Sequence, residues 1–134
     1  MRREVKKAEA RKKARAEGPA TAELKSARIS ARKLRILADV VRGMSVEMAL
    51  TTLAFQQRAG APVLKKVIDS AVANADARKM DLDTLVVSDV QIDKAGVMRR
   101  FLPRAHGRAT PIRKQLAHIH VSLAAPSSSD SEKK

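Results

Sequence analysis

Near its carboxyl end the chain contains a long basic stretch without an acidic residue, 94-KAGVMRRFLPRAHGRATPIRKQ-115. Two residues of types that favour turns, Pro103 and Gly107, lie on either side of 104-RAH-106. Proline fixes φ and glycine tolerates left-handed backbone, so this spacing is typical of the tip of a β-hairpin. We therefore predict that residues 94–115 fold back on themselves as a long two-stranded arm, called the hairpin below.

Alternating apolar residues on both sides of the hairpin predict the strands that carry it. Residues 84–92 and 116–123 each have one apolar side, formed by Val86, Val90 and Ile92 in the first stretch and by Ala117, Ile119, Val121 and Leu123 in the second. A third alternating stretch covers residues 22–29. The hairpin then extends two strands outward at about 3.3 Å per residue, on the order of 30 Å in all. Pro111 lacks an N–H donor, so we expect strand pairing to be interrupted there.

Three stretches with apolar residues at helical spacing predict helices over residues 31–42, 46–55 and 61–78. Ser30 and Ser45 stand at the N-cap positions of the first two helices, and Gly43 is expected to end the first. The predicted inward residues are Leu34, Leu37, Ala38, Val41, Ala49, Leu50, Leu53, Ala61, Leu64, Val67, Ile68, Ala71, Val72 and Ala75. Asn74 is expected to bond to a nearby backbone group rather than to a partner outside the chain. Three helices on a three-stranded antiparallel sheet give a small two-layer α+β body.

Charge is distributed unevenly along the 134 residues. Residues 1–35 have a formal charge of +9, residues 36–93 of −2, residues 94–123 of +7 and residues 124–134 of 0, which together give the net charge of +14. A nearly neutral middle is therefore flanked by two basic segments. A small protein tolerates such a field best against a polyanion, so nucleic acid is the expected partner.

The length and the position of these segments predict one α+β domain at residues 21–123, which includes the hairpin, between two flexible tails. Residues 1–20 form a basic, Ala-rich extension, and residues 124–134 form a Ser-rich tail. No apolar run is long enough for a membrane span or a secretory signal, so we expect a cytoplasmic protein. The absence of Cys excludes disulfides, thiolate nucleophiles and Cys-based zinc sites.

The candidate RNA-binding residues are the cations of the hairpin and those around the start of the first helix. They are Arg28, Arg32, Lys33, Arg35, Lys94, Arg99, Arg100, Arg104, Arg108, Arg113 and Lys114. Guanidinium groups form bidentate, charge-assisted bonds with phosphates. A ribbon with few large apolar residues is not stable alone, so we expect the hairpin to lie on RNA and to hold RNA segments at a fixed separation. Such a scaffold needs no catalytic residue, cofactor or metal.

Other classes of protein fit the sequence less well. The nearest is a histone-like architectural protein that bends DNA with basic β-ribbon arms, but such proteins normally use a dimeric body. An RNA-recognition module built on aromatic stacking is disfavoured because, of the two aromatic residues, only Phe101 is placed to stack. His118 and His120 share a strand face but have no third metal ligand at useful spacing. Asp89 and Asp93 fit surface acids that balance nearby Lys better than the magnesium site of a nuclease.

Several ordered motifs resemble one known family. They are 30-SARKL-34, 38-ADVVRG-43, 70-SAVANA-75 and 100-RFLPRAHGRATPIRK-114, followed by 118-HI-119. Over roughly residues 23–123 the chain resembles the family of bacterial large-subunit ribosomal protein twenty-two. The resemblance implies a small α+β body on the outer surface of the large subunit. It also implies a hairpin that runs through ribosomal RNA to line part of the nascent-peptide exit tunnel.

Carried over to this sequence, the resemblance assigns the tunnel-side contacts, near the site of macrolide antibiotics, to the end of the hairpin. The residues concerned are Met98, Arg99, Arg100, Pro103, Arg104, Ala105, His106, Gly107 and Arg108. The implied partners are large-subunit ribosomal RNA, neighbouring ribosomal proteins and the nascent peptide, with no membrane and with the chain as a monomer within the ribosome. No enzymatic activity is implied. The basic extension before Ala20 and the Ser-rich tail are not part of the family's core.

We predict that affinity for ribosomal RNA falls steeply with salt, because each phosphate that a cation neutralises releases counterions. A plot of log Kobs against log salt concentration should have a slope of about −0.7 to −0.9 for each phosphate neutralised. Binding titrations over a series of KCl concentrations measure this slope. A flat response would contradict an interface made of phosphate contacts.

Overall fold

Residues 18–125 are described by the computed structural model of the chain. The elements, in order, are β1 (Ala20–Ala27), α1 (Ala31–Val41), α2 (Val46–Phe55), α3 (Ala61–Ala77), β2 (Val86–Pro103) and β3 (Ala109–Ala124). Short 3₁₀ turns lie at Leu82–Thr84 and Ala105–Gly107. The predicted basic extension and Ser-rich tail fall largely outside the described residues. None of the helices within residues 18–125 is both long and apolar enough to cross a membrane.

The strands form an antiparallel sheet in the order β1-β3-β2, so β3 is the central strand. The helices pack on one face of the sheet, where α3 contacts β1 and β3 while α1 contacts β2 and β3. α2 packs mainly against α3. This arrangement confirms the predicted α+β class, with three helices on a three-stranded antiparallel sheet.

The core between helices and sheet is aliphatic, and no polar or charged side chain among the described residues is buried. α1 and α3 bury the apolar residues predicted from their spacing, except that Val72 on α3 is only partly buried. On α2, Ala49 and Leu53 are buried as predicted, whereas Leu50 is only partly buried. The largest fully buried side chains are Leu34, Leu37, Val41, Leu64, Ile68, Leu85, Val87, Val90, Ile119, Val121 and Leu123. No member of this core lies between residues 93 and 116. The body therefore holds the whole core, and the hairpin adds none.

Two register shifts modify the alternation that the sequence predicts for β2. The first lies between Val87 and Asp89; Val87 is fully buried while Val86 is only partly buried, so the predicted inward position of Val86 is wrong. A bulge inserts one extra residue into a strand and thereby moves the following side chains to the opposite face. The second shift lies between Lys94 and Val97, where the hairpin leaves the body.

The ends of α1 join the helix to both ends of the sheet. Ser30 before α1 and Ser45 before α2 have the extended backbone of N-cap residues, as predicted, but neither side chain bonds to its own helix. Instead, Ser30 Oγ donates to Gln115 Oε1 at 3.0 Å, which ties the start of α1 to the base of the hairpin. Gly43 has a φ of +79°, a left-handed conformation suited to glycine at a helix end. Its N–H donates to Val87 O at 2.8 Å, so the chain passes from α1 directly beside β2.

Side chains from the helices cover backbone groups at both outer edges of the body sheet. At the β2 edge, Arg42 Nη2 donates to Val90 O at 2.7 Å, and the Arg35 guanidinium donates to Ile92 O. At the β1 edge, Asn74 Nδ2 donates to Thr21 O at 2.9 Å, which confirms the backbone contact predicted for Asn74. Covered carbonyl groups do not pair with further strands. These contacts leave the distal part of the hairpin as the segment that projects without support from helices.

We predict that Ile119→Ala lowers the free energy of unfolding by about 2–5 kcal/mol, because it removes a fully buried side chain from the central strand. The matched control, Ile112→Ala, changes the same side chain of the same strand in the hairpin, where it is only partly buried. We expect this control to cost less than about 1 kcal/mol. Urea denaturation measures both. Equal losses would show that the hairpin is part of the core.

Candidate RNA interface

The predicted hairpin is present as a direct continuation of β2 and β3. Seven residue pairs extend it beyond the body, from Val97 opposite Gln115 to Pro103 opposite Ala109. The tip is a compact turn in which His106 and Gly107 adopt left-handed φ values of 57° and 68°. The tip therefore forms where the sequence predicts it, but the turn itself covers Ala105–Gly107, so Gly107 lies within the turn rather than beside it.

Pairing is not interrupted at Pro111, contrary to the expectation from the sequence. Pro111 lies opposite Phe101, and the register continues unchanged to the tip. Arg104 N–H donates to Arg108 O at 2.8 Å, so these two residues form a hydrogen-bonded pair. Such pairs alternate with non-hydrogen-bonded pairs along antiparallel strands, which places Phe101 and Pro111 at a non-hydrogen-bonded pair. The N–H that proline lacks would point away from the partner strand there, so no ladder bond is lost.

Hairpin side chains point to two opposite faces, because cross-strand partners share a face while neighbours along a strand do not. The first face consists of Val97, Arg99, Phe101, Pro103, Ala109, Pro111, Arg113 and Gln115. The second face consists of Met98, Arg100, Leu102, Thr110, Ile112 and Lys114, with Arg104 and Arg108 beyond it at the tip. Each face carries cations, so the hairpin is able to contact phosphates on both sides.

All seven cations of the hairpin have exposed side chains: Lys94, Arg99, Arg100, Arg104, Arg108, Arg113 and Lys114. Among the described residues, none of the ion pairs involves residues 94–115. One internal side-chain bond uses a hairpin guanidinium, from Arg100 Nη1 to Arg99 O at 2.8 Å. This arrangement leaves the positive charge of the hairpin available to a partner outside the chain.

The candidate cations near the start of α1 divide into two kinds. Arg28, Arg32 and Lys33 are exposed, and the bond between Ser30 and Gln115 brings their segment to the base of the hairpin. Arg35 instead points to the sheet, where its Nε and Nη2 donate to Ile92 O at 3.2 and 2.9 Å. The Arg35 guanidinium therefore stabilises the edge of β2. Local sequence spacing does not reveal this contact.

On the face of the sheet opposite the helices, three of the four polar residues considered as catalytic or metal-binding groups, His118, His120 and Asp89, contact other neighbouring groups. His118 Nδ1 accepts the N–H of Ser26 at 3.1 Å, and His120 Nε2 lies 3.7 Å from a carboxylate oxygen of Glu23. Asp89 accepts from Gln91 Nε2 at 2.8 Å and lies 3.5 Å from Arg42 Nε. Within residues 18–125, no three His, Asp or Glu side chains group as metal ligands.

A near-neutral α+β body that presents an exposed, acid-free cationic hairpin defines a structural nucleic-acid-binding protein. Comparison with known proteins identifies the family. Residues 22–124 match the family described as Ribosomal protein L22p/L17e. The chain belongs to this family, whose members are structural components of the ribosome rather than enzymes, which confirms the resemblance seen in the sequence motifs.

Similar proteins from three bacteria each carry the name large ribosomal subunit protein uL22. The chain is 49% identical to the protein of Myxococcus xanthus over 107 residues, which cover 78% of this chain and 94% of that protein. It is 48% identical to the protein of Bdellovibrio bacteriovorus over 103 residues, covering 76% and 94%. It is 46% identical to the protein of Geobacter sulfurreducens over 106 residues, covering 78% and 96%. These matches span nearly the whole of each relative, and the family match over residues 22–124 includes the hairpin.

We predict that Arg35→Lys lowers the free energy of unfolding by about 0.5–1.5 kcal/mol, because a lysine keeps the charge but loses the two-pronged bond to Ile92 O. The matched control is Arg32→Lys, which makes the same change at an exposed position of α1 and should leave stability unchanged. Urea denaturation of both variants measures the difference. Equal stability of the two variants would refute the structural role of Arg35.

Proposed function

We propose that this chain binds ribosomal RNA of the large subunit and that its hairpin lines part of the nascent-peptide exit tunnel, near the site of macrolide antibiotics. The observation that carries the proposal is the hairpin itself, with seven exposed cations and no acid over residues 94–115. Membership of the ribosomal L22p/L17e family supports the RNA partner over the architectural DNA-binding alternative. The chain acts as one copy in each subunit, with ribosomal RNA, neighbouring ribosomal proteins and the nascent peptide as its partners.

Phosphate neutralisation is the mechanism by which the hairpin supports the RNA. Cations on both faces bind phosphates of RNA segments that would otherwise repel one another. Because β2 and β3 run without a break from the core into the hairpin, the body fixes where those contacts lie. The protein thereby holds RNA segments at a set separation during assembly of the subunit. Arg28, Arg32 and Lys33 extend this contact surface to the base of the hairpin, and Lys94 begins it along β2.

The distal end of the hairpin has the shape and chemistry expected of a tunnel wall. The tip residues are Pro103, Arg104, Ala105, His106, Gly107 and Arg108, and every one of them is exposed. Small residues at the turn keep it narrow, while Arg104 and Arg108 provide charge for RNA at its two sides. Met98, Arg99 and Arg100 lie further from the tip, on both faces of the β2 strand. We assign the contacts on the tunnel side to this set of residues.

A nuclease footprint on large-subunit RNA tests the partner and the hairpin together. One sample contains subunits assembled with the full chain, and the other contains a chain in which residues 97–115 are replaced by an Asn-Gly turn. Since the core has no member between residues 93 and 116, the shortened chain should keep its helical circular dichroism. We expect it to keep the protections due to the body and to lose those along the tunnel wall.

The matched control keeps the length of the hairpin and removes charge at its tip, by Arg104→Gln with Arg108→Gln. This control should weaken only the protections nearest the tip. Identical footprints for the full and shortened chains would contradict a tunnel role for the hairpin. No footprint from the full chain would contradict RNA binding altogether.

A further inference from the structure

Two arginines face each other directly across the hairpin. The register places Arg99 opposite Arg113. Hydrogen-bonded and non-hydrogen-bonded pairs alternate along antiparallel strands. Counted from the hydrogen-bonded pair of Arg104 and Arg108, Arg99 and Arg113 form a non-hydrogen-bonded pair. In such pairs the Cα atoms are about 4.5 Å apart, and the two side chains leave the same face of the ribbon side by side.

This like-charge pair has no counterion among residues 18–125. Residues 94–123 include no acid, and among the described residues no ion pair reaches the hairpin. Like charges directly opposite each other destabilise an antiparallel pair. The repulsion between Arg99 and Arg113 therefore favours an external anion bound between their guanidinium groups. Guanidinium groups suit phosphate in this role because their donors are arranged as a fork.

The next pair on the same face, one step nearer the tip, is Phe101 opposite Pro111. The Phe101 side chain is 72% exposed, and the core does not include it. Residues two apart on one strand lie about 7 Å apart on a common face. The first face thus presents a cationic pair beside an exposed aromatic ring, which are the two groups that bind a single-stranded nucleotide: cations for the phosphate and a ring for the base.

We propose that the first face of the hairpin binds one unstacked nucleotide of RNA, with its phosphate bridged by Arg99 and Arg113 and its base stacked on Phe101. This inference rests on the proposed binding of ribosomal RNA, to which it adds a defined site and the conformation of the nucleotide. The site reads no particular base, because every base offers a flat face to an aromatic ring. Recognition here selects an RNA segment that is free to splay a base out of its stack.

A double-mutant cycle on RNA affinity tests the shared phosphate. The full chain, Arg99→Gln, Arg113→Gln and the double variant are titrated against deproteinised large-subunit RNA at one salt concentration. We expect each single variant to bind about 10-fold more weakly, as the loss of a charge-assisted phosphate bond implies. The double variant should lose clearly less than the product of the two losses, because both arginines serve one phosphate. Losses that multiply would show two separate phosphates and would overturn the bridge.

A test of stacking compares side chains at one position. We expect Phe101→Leu to weaken RNA binding by about 5-fold or more, the lower range for loss of one base–aromatic stack. Phe101→Trp should retain full affinity because it keeps a flat ring. The matched control is Leu102→Ala on the second face, which should have no comparable effect. Equal affinities of the Leu and Trp variants would overturn the stacking role of Phe101.

A measurement on the free protein separates this site from a purely structural arginine pair. Without RNA, Arg99→Gln should raise the population of paired hairpin, because it removes the like-charge repulsion; Hα chemical shifts of residues 98–102 and 110–114 report that population. Arg100→Gln removes the same charge from the second face, opposite the uncharged Ile112, and serves as the control. A variant that pairs better and binds RNA worse is the expected signature. Unchanged or weaker pairing in Arg99→Gln would contradict it.

The outcomes distinguish this inference from the proposed function. If the full chain fails to bind large-subunit RNA, the proposed function fails. If the full chain binds but the Arg99 and Arg113 variants bind equally well, RNA binding stands and the nucleotide site is wrong. If these variants keep full RNA affinity but lose binding to a Glu-rich peptide that the full chain binds, the pair holds a protein carboxylate instead, and the nucleotide site is likewise wrong.

Discussion

Electrostatic repulsion between cations within the hairpin is the constraint that the rest of the structure has to offset. All seven charged residues between 94 and 115 are cations, and the ribbon brings two of them, Arg99 and Arg113, directly opposite each other. A two-stranded ribbon is only marginally stable in water even without such repulsion. The body supports the hairpin at one end, and we propose that bound phosphate stabilises it along its length.

The body is built to hold that ribbon in place. β3 is the central strand of the sheet, and its inward residues from Ala117 to Leu123 are buried under the helices. α1 adds the bond from Ser30 to Gln115 at the point where the hairpin begins, and Arg35 and Arg42 cover the edge of β2 just before it. The core ends at the base of the hairpin, and these polar contacts lie beside that base. The folded core and the segment that we propose binds RNA thus lie on different parts of one pair of strands.

Local patterns in the sequence were sufficient to predict the helices and strands of the fold and the presence of the hairpin. The apolar stripe of α3, the stop at Gly43 and the turn at 104-RAH-106 depend on neighbours within a few residues, so periodicity and turn chemistry identify them. The family motifs then pointed to the ribosome, which the comparisons confirm. Composition alone indicated the hairpin as the binding segment, because it combines seven cations with no acid, whereas acids are interspersed in almost every other part of the chain.

Features that depend on register could not be predicted in the same way. The bulge after Val87 exchanges the expected inward and outward positions of Val86 and Val87. Pro111 costs no hydrogen bond between the strands because the pairing of Arg104 with Arg108 places it at a non-hydrogen-bonded position. Both depend on hydrogen bonds between residues distant in the sequence. The same holds for the fork of Arg35 on Ile92 O and for the pairing of Arg99 with Arg113, neither of which has a local signal. The sequence thus indicated the cations that we propose as the binding site but not their arrangement.

We propose that the hairpin gains its stability from RNA, whereas the body is stable without it. Amide hydrogen exchange, compared between the free chain and the chain bound in large subunits, measures this difference. We expect amides of residues 97–115 to exchange fast in the free chain and slowly in the subunit, while amides at Ile119 and Val121 are protected in both. Equal protection of the hairpin in the two states, or continued fast exchange in the subunit, would contradict it.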